Sequence, residues 1–429
     1  MCDTMAAVGS STADGTVIFA KNSDREFNEP QYLEQRPAAR HPRGSEVRLT
    51  YVSIPEVPET YAVLLSKPHW IWGAEIGAND QGLAIGNEAV FSGIEASLEP
   101  GIIGMDYLRL ALERARDVDE AIHVITRLLA QYGQSGNCGF RRTLTYHNSF
   151  ILADPQKAAV LETVDREWVV SPIREYCAIS NELSVGTEYS SASDTLEARA
   201  LDAGLMQPDR PLPFSSVYGS PEKTASGRHR RARAMTMLGS SGKGLTITDF
   251  FRAMRDHTEG PRPPDRANGP SICMHAREGA LGQTTASWVA QLSAQHPVHW
   301  VTGTAAPCTG IFKPLVLEAG VPPHGTRPGA AEDNTSLWWR HEKLRAYLNA
   351  ADERARNEFF RERDALEAQF IGEVAAARAR VTAHAGAATN AGAAAGEDRA
   401  PDDLLAIVKS CWARGLALEN AWLAKAACQ

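Results

Sequence analysis

The stretch Met1 to Glu29, MCDTMAAVGSSTADGTVIFAKNSDREFNE, decides how this chain is read. Its second residue is a cysteine, small enough for the initiator methionine to be trimmed, so the mature chain is expected to begin at Cys2. A free α-amine of ordinary pKa about 7.7–8.0 and a thiol of about 8.5 would then share one residue and exchange a proton near neutral pH. A nucleophile activated by a chain-terminal amine is one solution to covalent acyl transfer.

The residues that follow give Cys2 a mounting. Thr4 to Val8 reads as a strand, Asp14-Gly15 as a turn and Thr16 to Ala20 as a second strand, which together form a hairpin signal. The hairpin returns Lys21-Asn22-Ser23-Asp24-Arg25 beside the N-terminus, where charges can hold an ammonium and perturb a thiol. The bland alternative is a disordered first residue with Lys21 to Arg25 as a solvated turn, and this stretch alone leaves both open.

Composition bounds the rest. The 429 residues carry 43% hydrophobic and 22% charged side chains, ordinary for a globular protein with two or three structural units. The net charge of −8 gives no general case for nucleic acid or an anionic membrane as partner. No signal-peptide pattern opens the chain and no run approaches the roughly 18–20 apolar residues of a membrane span, so a cytoplasmic protein is expected. The cysteines at 2, 138, 177, 273, 308, 411 and 428 are odd in number and lack CxxC spacing, which argues against a disulfide framework and a zinc site.

Downstream, strand signals recur at Tyr61–Leu65, on both sides of the turn Asn79-Asp80-Gln81-Gly82, and in a meander from Ser149 to Ser180 that ends at Asn181. Leu108 to Leu129 has helical spacing with a break near Asp117. Arg228 to Leu238 begins an arginine-dense helix, and late strands are read at Ser271–His275 and Ala286–Leu292. From Ser336 to Arg380 the chain turns rich in Ala, Glu and Arg and reads as long helix; Thr382 to Ala400 is an Ala/Gly linker, and Asp402 to Ala427 a last helix. Strands first and helices in separate blocks argue for an α+β layer architecture.

The separated signals converge. CDT at 2–4, FAKNSDR at 19–25, GANDQGLAIGNEAV at 77–90, ISNELS at 179–184, SICMHA at 271–276, GQTTASWV at 282–289, and WVTGTAAPC with FKP at 300–314 together resemble the secernin and dipeptidase-A family of cysteine peptidases. The resemblance runs over most of residues 2–345. It implies an N-terminal-nucleophile hydrolase with a four-layer αββα sandwich, distantly similar to cholylglycine hydrolase and penicillin V acylase. In this pattern Cys2 is the nucleophile and its α-amine the base, while Asp24 matches the aspartate that bonds the amine. Lys21 stands where the distant relatives carry arginine, and brings a point charge without the planar fork. Asn181 matches an asparagine of the oxyanion site. Asn87 matches the second, with Asn79 and Glu88 left open. Arg228 matches an active-site arginine, with Arg230 or Arg231 as alternatives.

An amide hydrolase must stabilise a tetrahedral oxyanion, and one lost donor costs about 10²–10³ in rate, so asparagine amides at strand ends suit the task. Each residue also has a plainer reading: Asn87 and Asn181 as strand or turn caps, and the run Arg228 to Arg233 as a solvated helix face. Cys273 and His275 share one face of a predicted strand, but no further ligand has suitable spacing, so core packing is favoured over a metal. Cys308 follows a proline in a loop. Trp70, Trp72 and Trp288 are core residues or pocket walls.

The reading that results is an α+β four-layer sandwich over 2–330, followed at 331–429 by a helical extension containing the Ala/Gly linker at 382–400. Its function is that of a cysteine dipeptidase that needs no cofactor and no metal. Cys2, Lys21, Asp24, Asn87, Asn181 and Arg228 carry the chemistry; Glu88, Trp72 and Arg230 contact a dipeptide or other small substrate. The alternatives are an acylase or acyltransferase on a non-peptide amide, and a non-catalytic secernin-like interaction protein whose helices from Ser336 onward serve partner binding or homo-oligomer formation.

Overall fold

The computed structural model describes every residue except 241, 243, 259–269, 277–281, 391–401 and 428–429, and for 381–390 it describes the backbone alone. Cys428 and most of the stretch read as linker therefore lie outside the described residues.

Two large antiparallel sheets form the centre. The first has six strands in the order β14 (Tyr176–Ile179), β1 (Cys2–Ala7), β2 (Val17–Glu26), β16 (Gly282–Leu292), β17 (Val298–Val301) and β18 (Lys313–Leu315). The second has eight: β15 (Ser191–Ala192), β13 (Glu167–Ile173), β12 (Ala158–Val164), β11 (His147–Ala153), β10 (Ala84–Val90), β9 (Ile76–Asn79), β8 (Val63–Pro68) and β3 (Gln31–Arg36). Two small hairpins, β4 (Ala39–Arg40) with β7 (Glu59–Thr60) and β5 (Glu46–Arg48) with β6 (Ser53–Pro55), lie outside them.

The sheets face each other, β1 against β10 and β11, and one apolar core fills the gap. Helices α1 (Gly104–Arg114) and α2 (Val118–Tyr132) cover the outer face of the eight-stranded sheet, above a second core containing Leu65, Ile85, Phe150 and Leu152. Helices α5 (Pro221–Ser240) and α6 (Ile247–Met254) cover the outer face of the six-stranded sheet; α3 (Leu196–Asp202) and α4 (Phe214–Tyr218) precede them. The result is the α+β, four-layer αββα order expected from the sequence. Because both faces of β1 and β2 are covered, these strands are buried nearly end to end instead of alternating.

Local chemistry explains the first hairpin and the helix pair. Gly15 takes a φ of 76° at the turn, and Asp14 accepts from the Thr16 amide at 3.1 Å. Asp117 caps α2 by accepting from the Glu120 amide, which breaks the periodic run where the sequence places it. The hairpin is longer than the pattern indicated, however: Lys21 to Arg25 lie within β2, buried, and are neither a solvated turn nor a strand end.

Two further expectations change. Ser271–His275 is a loop, not a strand. The long helix α8 (Glu353–Asn390) continues into the stretch read as linker. It and α9 (Asp402–Ala427) pack along β18, and α7 (Leu337–Ala350) packs on α9: Trp412 Nε1 of α9 donates to Pro314 O at 2.9 Å, and Glu367 of α8 pairs with Arg255 at the end of α6 at 2.6 Å. No helix among the described residues is long and apolar enough to cross a membrane.

Candidate active site

Cys2 opens β1, with Ser23 of β2 opposite, and is 4% exposed. Its nitrogen and its sulfur have separate partners. The backbone N–H donates to Asn181 Oδ1 at 2.8 Å, whereas Sγ accepts from the Asp24 N–H at 3.3 Å and faces Glu75 Oε2 at 3.7 Å. Met1 precedes Cys2 and is 44% exposed, and its amine donates to the Asp24 carbonyl at 2.9 Å. The Met1 sulfur rests on Arg230 Nη1 at 3.4 Å. Burial pushes the Cys2 thiol up to about 12, with Lys21 pulling it down and Glu75 and Glu88 adding to the rise.

Lys21, directly opposite Thr4, points into the gap between the sheets. Its Nζ donates to the Asn87 carbonyl at 2.6 Å and lies 3.7 Å from Glu88 and 3.8 Å from Glu75. Burial works against its charge, but Cys2, Glu88 and Glu75 outweigh that and hold the ammonium above its ordinary value. Gly86 makes room for it, since a Cβ there would stand 2.6 Å from the Lys21 chain. Burial raises Glu88 to about 8 against the pull of Lys21. Asp24 is raised to about 7 by burial, with the chain-terminal ammonium opposing; its Oδ1 accepts from Thr284 at 2.6 Å, and Oδ2 has no partner among the described residues.

The asparagines separate. Asn181 follows β14, the strand that pairs with β1, and so arrives beside Cys2. Arg230 Nη2 donates to Asn181 Oδ1 at 2.5 Å, and because a guanidinium only donates, the amide oxygen must face it and Cys2. Asn181 Nδ2 then donates to Ala89 O at 2.8 Å, so in this arrangement the Asn181 oxygen holds the nucleophile's nitrogen while one of its two amide N–H groups is engaged by the Ala89 carbonyl.

Asn87 is not at the site. On β10, Gly86 and Glu88 face the first sheet, so Asn87 faces the helices, where its amide reaches Asn148 at 3.4 Å. Asn79 clamps α1 by donating to Leu112 O and Ala115 O. Of the three residues left open, Glu88 is the one that points toward Lys21, and it accepts from Thr4 Oγ1.

The arginine assignment also shifts. The buried face of α5 runs through Thr224, Gly227, Arg230, Ala234 and Leu238, so Arg230 lies in the stripe and Arg228 beside it. Arg230 pairs with Asp3 at 3.0 Å and donates to the Cys2 carbonyl at 3.3 Å and to Ser180 Oγ at 2.8 Å. Arg228 is 57% exposed and pairs with Glu182 at 3.1 Å, on the rim next to Asn181. Trp72 is elsewhere: it stacks on Arg109 at 3.9 Å, beside the core under α1 and α2. The pattern missed Glu75, which meets Cys2, Lys21 and Arg25; a lone acid in the apolar run from Trp70 to Ala78 was the available signal.

Residues 11–182 match the family model for acyl-coenzyme A:6-aminopenicillanic acid acyl-transferase. The chain is similar to that acyltransferase family there. The matched segment contains Lys21, Asp24 and Asn181 but begins after Cys2. Among solved structures, a variant of the conjugated bile acid hydrolase of Clostridium perfringens is 14% identical, with 70% of this chain and 88% of that chain covered and a TM-score of 0.40. Penicillin V acylase from Agrobacterium tumefaciens is 16% identical, covering 73% and 86%, with a TM-score of 0.40. The Caenorhabditis elegans N-acylethanolamine-hydrolyzing acid amidase ortholog is 11% identical, covering 67% and 92%, at 0.35.

Proposed function

We propose that this protein is a cysteine amidohydrolase of the N-terminal-nucleophile kind, that Cys2 acts after loss of Met1, and that its substrates are dipeptides, as in the secernin and dipeptidase-A pattern. The observation that carries the reading is a buried Cys2 directly behind an exposed Met1, with its nitrogen and its sulfur already bound to different partners, Asn181 and Asp24. Removing Met1 converts the bonded amide into an α-amine in place.

The thiol proton then passes to that amine, sulfur attacks the amide carbon, and the carbonyl becomes an oxyanion beside the Lys21 ammonium. The amine returns the proton to the departing nitrogen as the C–N bond breaks, and water cleaves the thioester. Asn181 and Arg230 are positioning residues in this scheme. The rim pair Arg228 and Glu182 offers a cation and an anion at the mouth, which suits a substrate carrying both a carboxylate and an ammonium. A reducing cytoplasm would keep the thiol usable.

The test is intact mass followed by hydrolysis of a dipeptide panel, with N-acetylated and amidated dipeptides for comparison. Expected are loss of Met1, cleavage of free dipeptides, and a fall of at least about 10³ in kcat/KM for Cys2→Ala. Retained Met1, or undiminished cleavage by Cys2→Ala, would overturn the proposal. The acyltransferase description of the matched model favours a second reading, acyl transfer to an amine acceptor; it wins if products form only when an acceptor amine is added.

A further inference from the structure

A second group of reactive side chains lies outside the Cys2 site. His257 follows α6, Cys273 and His275 lie in the loop before β16, and Cys308 sits in the turn between β17 and β18. Their ligand atoms all fall within 4.8 Å of one another, and the two cysteines and His275 are buried. His275 Nε2 is at the centre: 3.1 Å from His257 Nε2, 3.3 Å from Cys273 Sγ and 3.5 Å from Cys308 Sγ. One ring nitrogen carries either one proton or one lone pair, so it can complete one of these three contacts as a hydrogen bond and not all of them.

A cation completes all of them together. Tetrahedral zinc with Zn–S of about 2.3 Å and Zn–N of about 2.0–2.1 Å has N···N edges near 3.3 Å and N···S edges near 3.5 Å, close to the spacings seen. Two thiolates and two neutral imidazoles balance a divalent ion, with two protons released on binding. A Cys₂His₂ donor set in tetrahedral disposition favours zinc over the oxygen-seeking cations.

We propose that His257, Cys273, His275 and Cys308 form a structural zinc site that ties three loops together behind the nucleophile. Four protein ligands leave no open position, so the metal supports the fold and takes no part in chemistry. Its place is specific. Met274, between two ligands, donates its N–H to Thr284 Oγ1 at 2.9 Å, and that hydroxyl donates to Asp24 Oδ1 at 2.6 Å. The Cys273 N–H donates to Asp256 O beside His257 at 3.1 Å, so the first and second loops are already in register. The four side chains come from three loops that only the folded sheet brings together, so their spacing in the chain carries no metal-site signature.

The test is elemental analysis of full-length protein purified in reducing buffer, followed by exchange with Co²⁺. Expected are about one zinc per chain, and after exchange the intense d–d and sulfur-to-cobalt charge-transfer bands of a tetrahedral thiolate site. Cys2→Ala should keep the metal, and chelation should lower the melting midpoint by about 5 °C or more. The double variant Cys273→Ser, Cys308→Ser should lose the metal. Should it fail to fold, His257→Ala at the partly exposed ligand should fold and still lose the tetrahedral cobalt spectrum. Reduced protein that holds no metal and gives no such spectrum with added Co²⁺ would overturn the proposal, as would a Cys273–Cys308 disulfide found by non-reducing peptide mapping.

Discussion

Cys2 and the pair Cys273 and Cys308 lie at the same end of the first sheet, separated by Asp24 and Thr284, yet their surroundings assign them different work. Around Cys2 stand fixed donors and charges: the Asp24 amide, Lys21, Glu75 and, just beyond, Arg230 with Asp3. None of these is a soft metal ligand, and the sulfur belongs to the residue next to the exposed Met1. Around Cys273 and Cys308 the neighbours are imidazoles, and all four ligand atoms lie within 4.8 Å of one another. A buried thiol by itself is uninformative; the type of neighbour and the route to solvent separate nucleophile from ligand.

Alkylation is the sharpest way to break this contrast. In trimmed, metal-loaded protein, mass-mapped iodoacetamide labelling should modify Cys2 at least about 100-fold faster than Cys273 or Cys308, and a chelator should bring the latter two up. Equal rates before chelation would erase the distinction. Next in size is Arg230→Met, which strands Asp3 in the interior; urea denaturation should show a loss of about 3–5 kcal/mol. Arg230→Lys should recover part of this, because the charge returns without the fork that also holds Asn181.

Glu88 gives a smaller, pH-dependent effect. Burial lifts it from an ordinary 4.5 to about 8, with Lys21 opposing, so the folded protein binds this proton more tightly than the unfolded chain. The associated stability is complete below pH 4.5 and is lost as pH rises to about 8. Glu88→Gln has no such proton, so between about pH 5 and 8 its unfolding free energy, read from urea denaturation, should decline less than that of the wild type, by on the order of 1 kcal/mol. Arg228→Ala, at the exposed rim, should raise KM for free dipeptides about 3–10-fold with kcat unchanged; a kcat defect would move it into the reacting centre. Smallest of all, Asn87→Ala should leave kcat/KM within about twofold, since its amide faces the helices. A large loss there would mean the strand turns its other face to Cys2.

The reading of the sequence was strongest where chain neighbours decide the outcome. A two-strand hairpin places Cys2 against Ser23 by register alone, and Asn181 follows from a meander whose last strand returns to β1. It was weakest where a side chain's direction matters. Asn87 and Glu88 are adjacent, and strand alternation sends them to opposite faces, so an error of one residue exchanges a site residue for a remote one. Arg228 and Arg230 differ by about 200° around a helix, and only the stripe through Gly227 and Ala234 reveals which is buried. Glu75 was hidden for a related reason: the stretch that carries it, just before β9, is apolar, and its partners lie on β1 and β2.

By itself the sequence determined the candidate nucleophile, the hairpin that carries it and the strand-rich α+β layering, because these depend on turn chemistry and on periodicity between near neighbours. Only the tertiary structure decided which arginine reaches Cys2, which of two adjacent residues faces Lys21, and that His257, Cys273, His275 and Cys308 meet. Those outcomes depend on which faces the packed sheets and helices turn toward one another. Residues far apart in the chain acquire a common environment only once that packing is complete.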